Sequence, residues 1–97
     1  MAQGKRVSER IDRAALATIQ QLGLAARRLR TEAGEGQSAA ATRLGVHVQT
    51  IARIESGEAG VAVGHVLGLL SLYGATVSLQ LRGPSEPRDA VISVIHR

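Results

Sequence analysis

Cysteine, tryptophan and phenylalanine are absent from this chain, and Tyr73 is its one aromatic residue. Without cysteine there is no disulfide and no thiolate metal site, and a reducing compartment is compatible. Without aromatics the core has to be aliphatic. The 97 residues make one small domain, and so small a core gains from a second copy of the chain. Lysine is also nearly missing, since eleven of the twelve basic residues are arginine. Against eight acids they leave a net charge of +4, which suits a phosphate-rich partner. No apolar run reaches the length of a membrane span, and Val61–Tyr73 is broken by Gly64, His65 and Gly68. The first residues are charged without an apolar run, so no secretory signal is expected. There is no nucleophile–base arrangement, no glycine-rich phosphate loop and no carboxylate pair. His47 has no second ligand at metal spacing. The expectation is no catalytic residue, no metal and no cofactor.

What is present is helical periodicity. Met1–Val7 is polar and basic, a loose start or an arm on a partner, and residues 1–10 are set apart as a flexible basic arm. Ser8 or Asp12 suits a helix cap. Ile11, Ala15, Ile19, Leu22, Ala26, Leu29 and Ala33 then recur every three or four residues, a stripe of about six turns. Gly23 interrupts it, marking a close contact or a join between two helices. Gly34 ends it. A later helix is expected over Val63–Leu72, with Val63, Val66, Leu67, Leu70 and Tyr73 on its buried face. Gly64 and Gly68 would let a neighbour approach closely. Thr76–Leu81 alternates polar and apolar residues and predicts a strand, with no partner strand evident. An unpaired strand invites the same strand from a second copy. After Gly83-Pro84 the tail suits either a short helix from Pro87, the reading favoured here, or a strand over its β-branched residues Val91, Ile92, Val94 and Ile95. No internal repeat or low-complexity segment is evident.

The chain is organised around Gly36–Gly57. Two short helices are expected, Gln37–Leu44 and Val48–Glu55, joined by a tight turn at Gly45. Ala40, Ala41 and Leu44 share one face of the first, and Ile51 and Ile54 one face of the second. That is helix-turn-helix spacing, in which the second helix is free to enter a DNA major groove. Fold class follows as mainly α: a bundle of four to five helices at 11–75, then a C-terminal strand and tail at 76–97.

These residues resemble the Cro/cI-type, or XRE-type, helix-turn-helix family. Its pattern runs arginine, then G-L-S-Q-x-x-L-A, then L-G-V-S-x-x-T-I-x-R-I-E-x-G. The matching residues are Arg30, Gly34, Gln37, Ala41, Leu44-Gly45-Val46, Thr50-Ile51, Arg53-Ile54-Glu55 and Gly57. The resemblance spans about Leu22–Gly74. The strand beyond it is similar to the HipB-type antitoxin branch, in which paired C-terminal strands join two subunits. The departures are Glu35 for leucine, Gly36 for the serine cap, Ala40 for leucine, and His47 for the serine cap of the second helix.

The resemblance implies a role for each position. Val48, Gln49 and Ala52 face base edges, and Arg53 reaches guanine or phosphate. Gln49 can donate and accept at once, which matches adenine. Gln37 serves the DNA backbone or a local cap, and His47 and Thr50 are phosphate candidates. Arg27 and Arg28 are a solvated face or phosphate contacts. Arg30 and Glu55 form a buried structural ion pair. Val77, Leu79 and Leu81 carry the dimer strand. The implied protein is a cytoplasmic, nucleoid-associated repressor that binds double-stranded DNA as a homodimer, an autoregulating antitoxin whose tail holds a toxin. The alternative is a module whose main task is to bind another protein. Neither reading involves a membrane.

Overall fold

The computed structural model describes residues 10–81 and 90–96, with backbone alone at 81 and 90–92. The expected basic arm, apart from Arg10, and the Ser8 cap lie outside the described residues. So do Gly83-Pro84 and Pro87.

Helix α1 spans Arg13–Glu32. It begins where Asp12 Oδ1 accepts the Ala15 N–H at 2.8 Å, so one otherwise unpaired first-turn donor is satisfied. It runs unbroken through Gly23, so the expected join does not exist and the close contact does. A Cβ at Gly23 would collide with the Ile54 carbonyl oxygen. Only the second half of α1 enters the core. Ala26 and Leu29 are buried, Ile11, Ala15, Ile19 and Leu22 are half-covered, and Ala33 is exposed at the C-cap.

Helices α2 (Gln37–Leu44) and α3 (Val48–Glu55) follow at their expected bounds. Ala40 and Ala41 of α2 and Ile51 and Ile54 of α3 are buried together with Leu69 and Leu70. Small side chains on α2 let the α3 isoleucines seat deeply. Full burial of a residue such as Ile51 contributes about 1.5–3 kcal/mol.

Helix α4 spans Val63–Leu72; of its expected face Leu70 is buried and Val66 and Tyr73 pack on the core, but the rest differs. Leu69 and Leu70 are fully buried, whereas Val63 and Leu67 are 68% and 43% exposed. Apolar residues occur all round this helix, so periodicity alone does not select the inner face. Packing does: a Cβ on Gly68 would stand 3.0 Å from Leu44 Cδ1, which sets that side against α2. Gly64 faces open space.

The C-terminal segment departs most from expectation. Strand β1 (Ala75–Leu81) pairs antiparallel with β2 (Ala90–His96), in register from Ala75 opposite His96 to Leu81 opposite Ala90. The tail is therefore a strand here, and the expected lone strand has its partner in the same chain. β-branched side chains favour the extended backbone and lose χ1 freedom in a helix. An isolated hairpin is marginal in water. This one is held by Ala75, Val77 and Val94, which pack on the helical core. The described fold is four helices and one hairpin.

Candidate nucleic-acid interface

Each of the four helices is closed by a glycine with positive φ, at Gly34, Gly45, Gly57 and Gly74. At Gly57 the geometry is most consequential. The Gly57 N–H donates to Ile54 O at 3.0 Å and the Glu58 N–H to Arg53 O at 3.1 Å. This paired closure defines a Schellman motif, and it needs a left-handed residue at its centre. The same glycine lies against Gln20 of α1, where a Cβ would meet Gln20 Cγ at 2.7 Å. Gly23 and Gly57 together pin the C-terminal end of α3 to α1.

With its end pinned and Ile51 and Ile54 buried, α3 turns its other face outward. Val48, Gln49 and Ala52 are exposed along it, and Arg53 is partly so. Thr50 is half-buried, with its N–H donating to His47 O at 2.9 Å. His47 is exposed at the N-cap and forms no side-chain cap hydrogen bond, and neither does Gly36 before α2. The first-turn amides of both helices therefore receive no acceptor from their N-cap side chains. Such amides carry partial positive charge and suit an anion. Arg27 and Arg28 are exposed on α1.

Behind this surface lies a polar cluster. Arg30 meets Glu55 through two hydrogen bonds, Nε to Oε2 at 2.6 Å and Nη2 to Oε1 at 2.9 Å. Its Nη1 donates to the Glu35 carbonyl at 2.7 Å. The ion pair is buried on both sides, with side-chain exposures of 9% and 4%. Gln37 Nε2 also donates to Glu55 Oε1, at 3.0 Å. Gln37 is thus bound to the ion pair, a partner that sequence reasoning did not name. Burial pushes the Glu55 carboxyl up, but hydrogen bonds from Arg30 and Gln37 and the nearby guanidinium charge leave it below the ordinary carboxylate range. The Arg30 guanidinium is raised, first by its hydrogen bond to Glu55.

Two further groupings escaped the sequence reading. Glu35, where the family has leucine, accepts from Tyr73 Oη at 2.8 Å and from Arg43 Nη1 at 2.9 and 3.0 Å. Arg43 also lies over the Tyr73 ring at 5.4 Å. Arg43 of α2 and Tyr73 at the end of α4 thus clamp Glu35 between them. The Tyr73 hydrogen bond, then those of Arg43, hold the Glu35 carboxyl below its usual range. The second grouping is Arg53 Nε with Glu58 Oε1, at 2.8 Å. One signal for it was available. The pattern Arg-x-Glu-x-Gly-Glu occurs at 30–35 and again at 53–58, and each copy closes a helix.

Among the described residues no group of His, Asp and Glu is placed to hold a metal ion, and no helix is long and apolar enough to cross a membrane. Two short helices crossing at a glycine turn, with the second held from behind and open in front, define a helix-turn-helix protein. The family described as a helix-turn-helix domain matches residues 21–82, more than half of the chain, and the chain belongs to that family. No curated protein and no solved structure matches it. Family membership carries a DNA-binding, regulatory function.

Proposed function

We propose that the protein is a sequence-specific repressor in which α3 reads base edges. The observation that supports this most is the outward face of α3. Val48, Gln49 and Ala52 are exposed on a helix whose opposite side is fixed by Ile51, Ile54, Gly23 and Gly57. Gln49 matches the donor and acceptor of adenine, and Val48 offers methyl groups to thymine. His47, Thr50 and the first-turn amides of α2 and α3 meet phosphates. Gln37 is held by Glu55 through one N–H, which leaves its second N–H for the backbone of the DNA. Arg27 and Arg28 add sequence-independent affinity.

Binding as a homodimer to a palindromic operator belongs to the same proposal. Exposed apolar surface supports it, since β1 is paired within the chain. Leu22, Val63, Leu67 and Val77 line one groove between α1, α4 and β1, and Leu79 is 62% exposed. A second copy covering this surface would present two α3 helices to half-sites about one DNA turn apart. Strand pairing through Val77, Leu79 and Leu81 remains one form of that contact, at the hairpin's outer edge. An autoregulating antitoxin of the nucleoid fits the resemblance.

The protein-binding alternative also has an observation in its favour. A second groove beside α1 has Leu22, Leu24, Ala25 and Val94 as apolar lining and Arg27 and Arg28 at its edge. It suits an acidic, amphipathic segment of a partner, and the tail strand forms one wall. Selection of bound duplexes from a random pool by the full-length protein separates the two readings. The repressor reading expects enrichment of one motif with two-fold symmetry. Recovery of unrelated sequences would contradict it and favour the protein partner.

A further inference from the structure

We infer that Glu58 is a positioning residue for DNA reading: it holds Arg53 in an end-on orientation, so that Arg53 contacts a base and not a phosphate. The inference rests on the α3 reading above and adds to it a residue that lies outside the recognition helix.

A Schellman motif brings the residue after its glycine beside the residue three positions inside the helix end, and an apolar contact usually joins them. In α3 those two residues are Glu58 and Arg53, and the contact is ionic. Backbone and side chain therefore agree: the Glu58 N–H reaches Arg53 O at 3.1 Å, and Arg53 Nε reaches Glu58 Oε1 at 2.8 Å. The position of Glu58 is set by the same Gly57 turn that packs on Gln20.

A guanidinium has five N–H donors in a rigid fork. Glu58 occupies the one on Nε. The four on the two terminal nitrogens stay available, and one from each makes an end-on bidentate contact with guanine O6 and N7. A side-on contact through Nε is blocked. A free arginine of this length would sample phosphates on either side of the groove. Arg53 restrained at Nε has lost part of that freedom before it meets DNA, so less is lost on binding. The Glu58 charge also opposes a neighbouring phosphate, which penalises the backbone contact relative to the base contact.

The experiment uses the full chain and two probes: a duplex enriched by selection from a random pool, and its scrambled counterpart. Affinities are measured for wild type, Glu58→Ala, Glu58→Gln, Arg53→Ala and the double variant Glu58→Ala/Arg53→Ala. Glu58→Ala is expected to bind the scrambled duplex more tightly, by removing a negative charge, while the preference for the selected duplex falls roughly tenfold. Glu58→Gln keeps an acceptor for Nε and is expected to retain most of that preference, which a purely electrostatic role would not allow. In the Arg53→Ala background, loss of Glu58 should leave the preference unchanged. If Glu58→Ala strengthens both duplexes equally, or lowers the preference as much without Arg53 as with it, the inference is overturned while the α3 reading stands. If wild type shows no preference between the duplexes, the α3 reading itself fails, and the inference with it.

Discussion

Among the described residues, Arg30 and Glu55 are the buried charged side chains. They pair with each other through two hydrogen bonds. Removal of either leaves a charge without its partner in a low-dielectric setting. Each alanine substitution is expected to cost about 3–5 kcal/mol, and the double variant less than the sum of the singles. A denaturant-unfolding cycle measures this, and near-zero additive effects would contradict it. The pair also sets an acid limit. The folded-state pKa of Glu55 is lowered, so its contribution is present above the unfolded carboxylate value of about 4.3 and is lost as pH falls through the folded value. Glu35 is lowered too and adds in the same direction. Stability should therefore stay level near neutrality and decline below about pH 5. Glu55→Gln should flatten that decline in a series of thermal melts. The ion pair was legible in the sequence because both residues fall at family positions. The Glu35–Arg43–Tyr73 clamp was not, because its three members are brought together by tertiary packing from three places in the chain.

Elements differ in how well local pattern determines them. The helices α1, α2 and α3 were legible because closing glycines and apolar spacing agree along each of them, with the Asp12 cap added at α1. The inner face of α4 was legible only in part, at Val66, Leu70 and Tyr73, because an apolar residue stands on every side and the approach of Gly68 to Leu44 decides the rotation. The hairpin was half-legible. β1 alternates cleanly, whereas β2 is a β-branched run whose state depends on having β1 beside it. A chain that ends after Leu81 should show that dependence. It would uncover Val77 and unpair the whole of β1. The expected loss is about 2 kcal/mol or more, with a tendency to associate through the bare strand. Denaturation together with light scattering tests this, and a truncated chain as stable and as soluble as the full one would contradict the packing described.

For the whole molecule, the question is what covers the apolar surface between α1, α4 and the hairpin. Val63, Leu67 and Leu79 are each more than 40% exposed, and contiguous exposed apolar surface of this kind marks an interaction site. Sedimentation of the full chain at roughly tens of micromolar is expected to show a dimer. Substituting Leu67 with glutamate should shift the protein to monomer. A monomer in both cases would remove the two-site geometry from the account. The outward face of α3 was legible in outline from the helix phase, which set the exposed Val48, Gln49 and Ala52 apart from the buried Ile51 and Ile54. The ties of Gln37 to Glu55 and of Arg53 to Glu58 were not, since both depend on side-chain geometry that spacing does not determine.

The central claim is that α3 reads base sequence while the arginines of α1 supply affinity. The most direct measurement is a titration of wild type and Gln49→Ala against a selected duplex and its scrambled counterpart across a salt series. Loss of Gln49 is expected to cost about 1–3 kcal/mol on the selected duplex. It should cost little on the scrambled one and leave the salt dependence unchanged, because no phosphate contact is removed. Arg27→Ala or Arg28→Ala in the same series should weaken both duplexes alike and lower the salt slope by about one unit. If Gln49→Ala weakened both duplexes equally, or neither, α3 would not be the reading element.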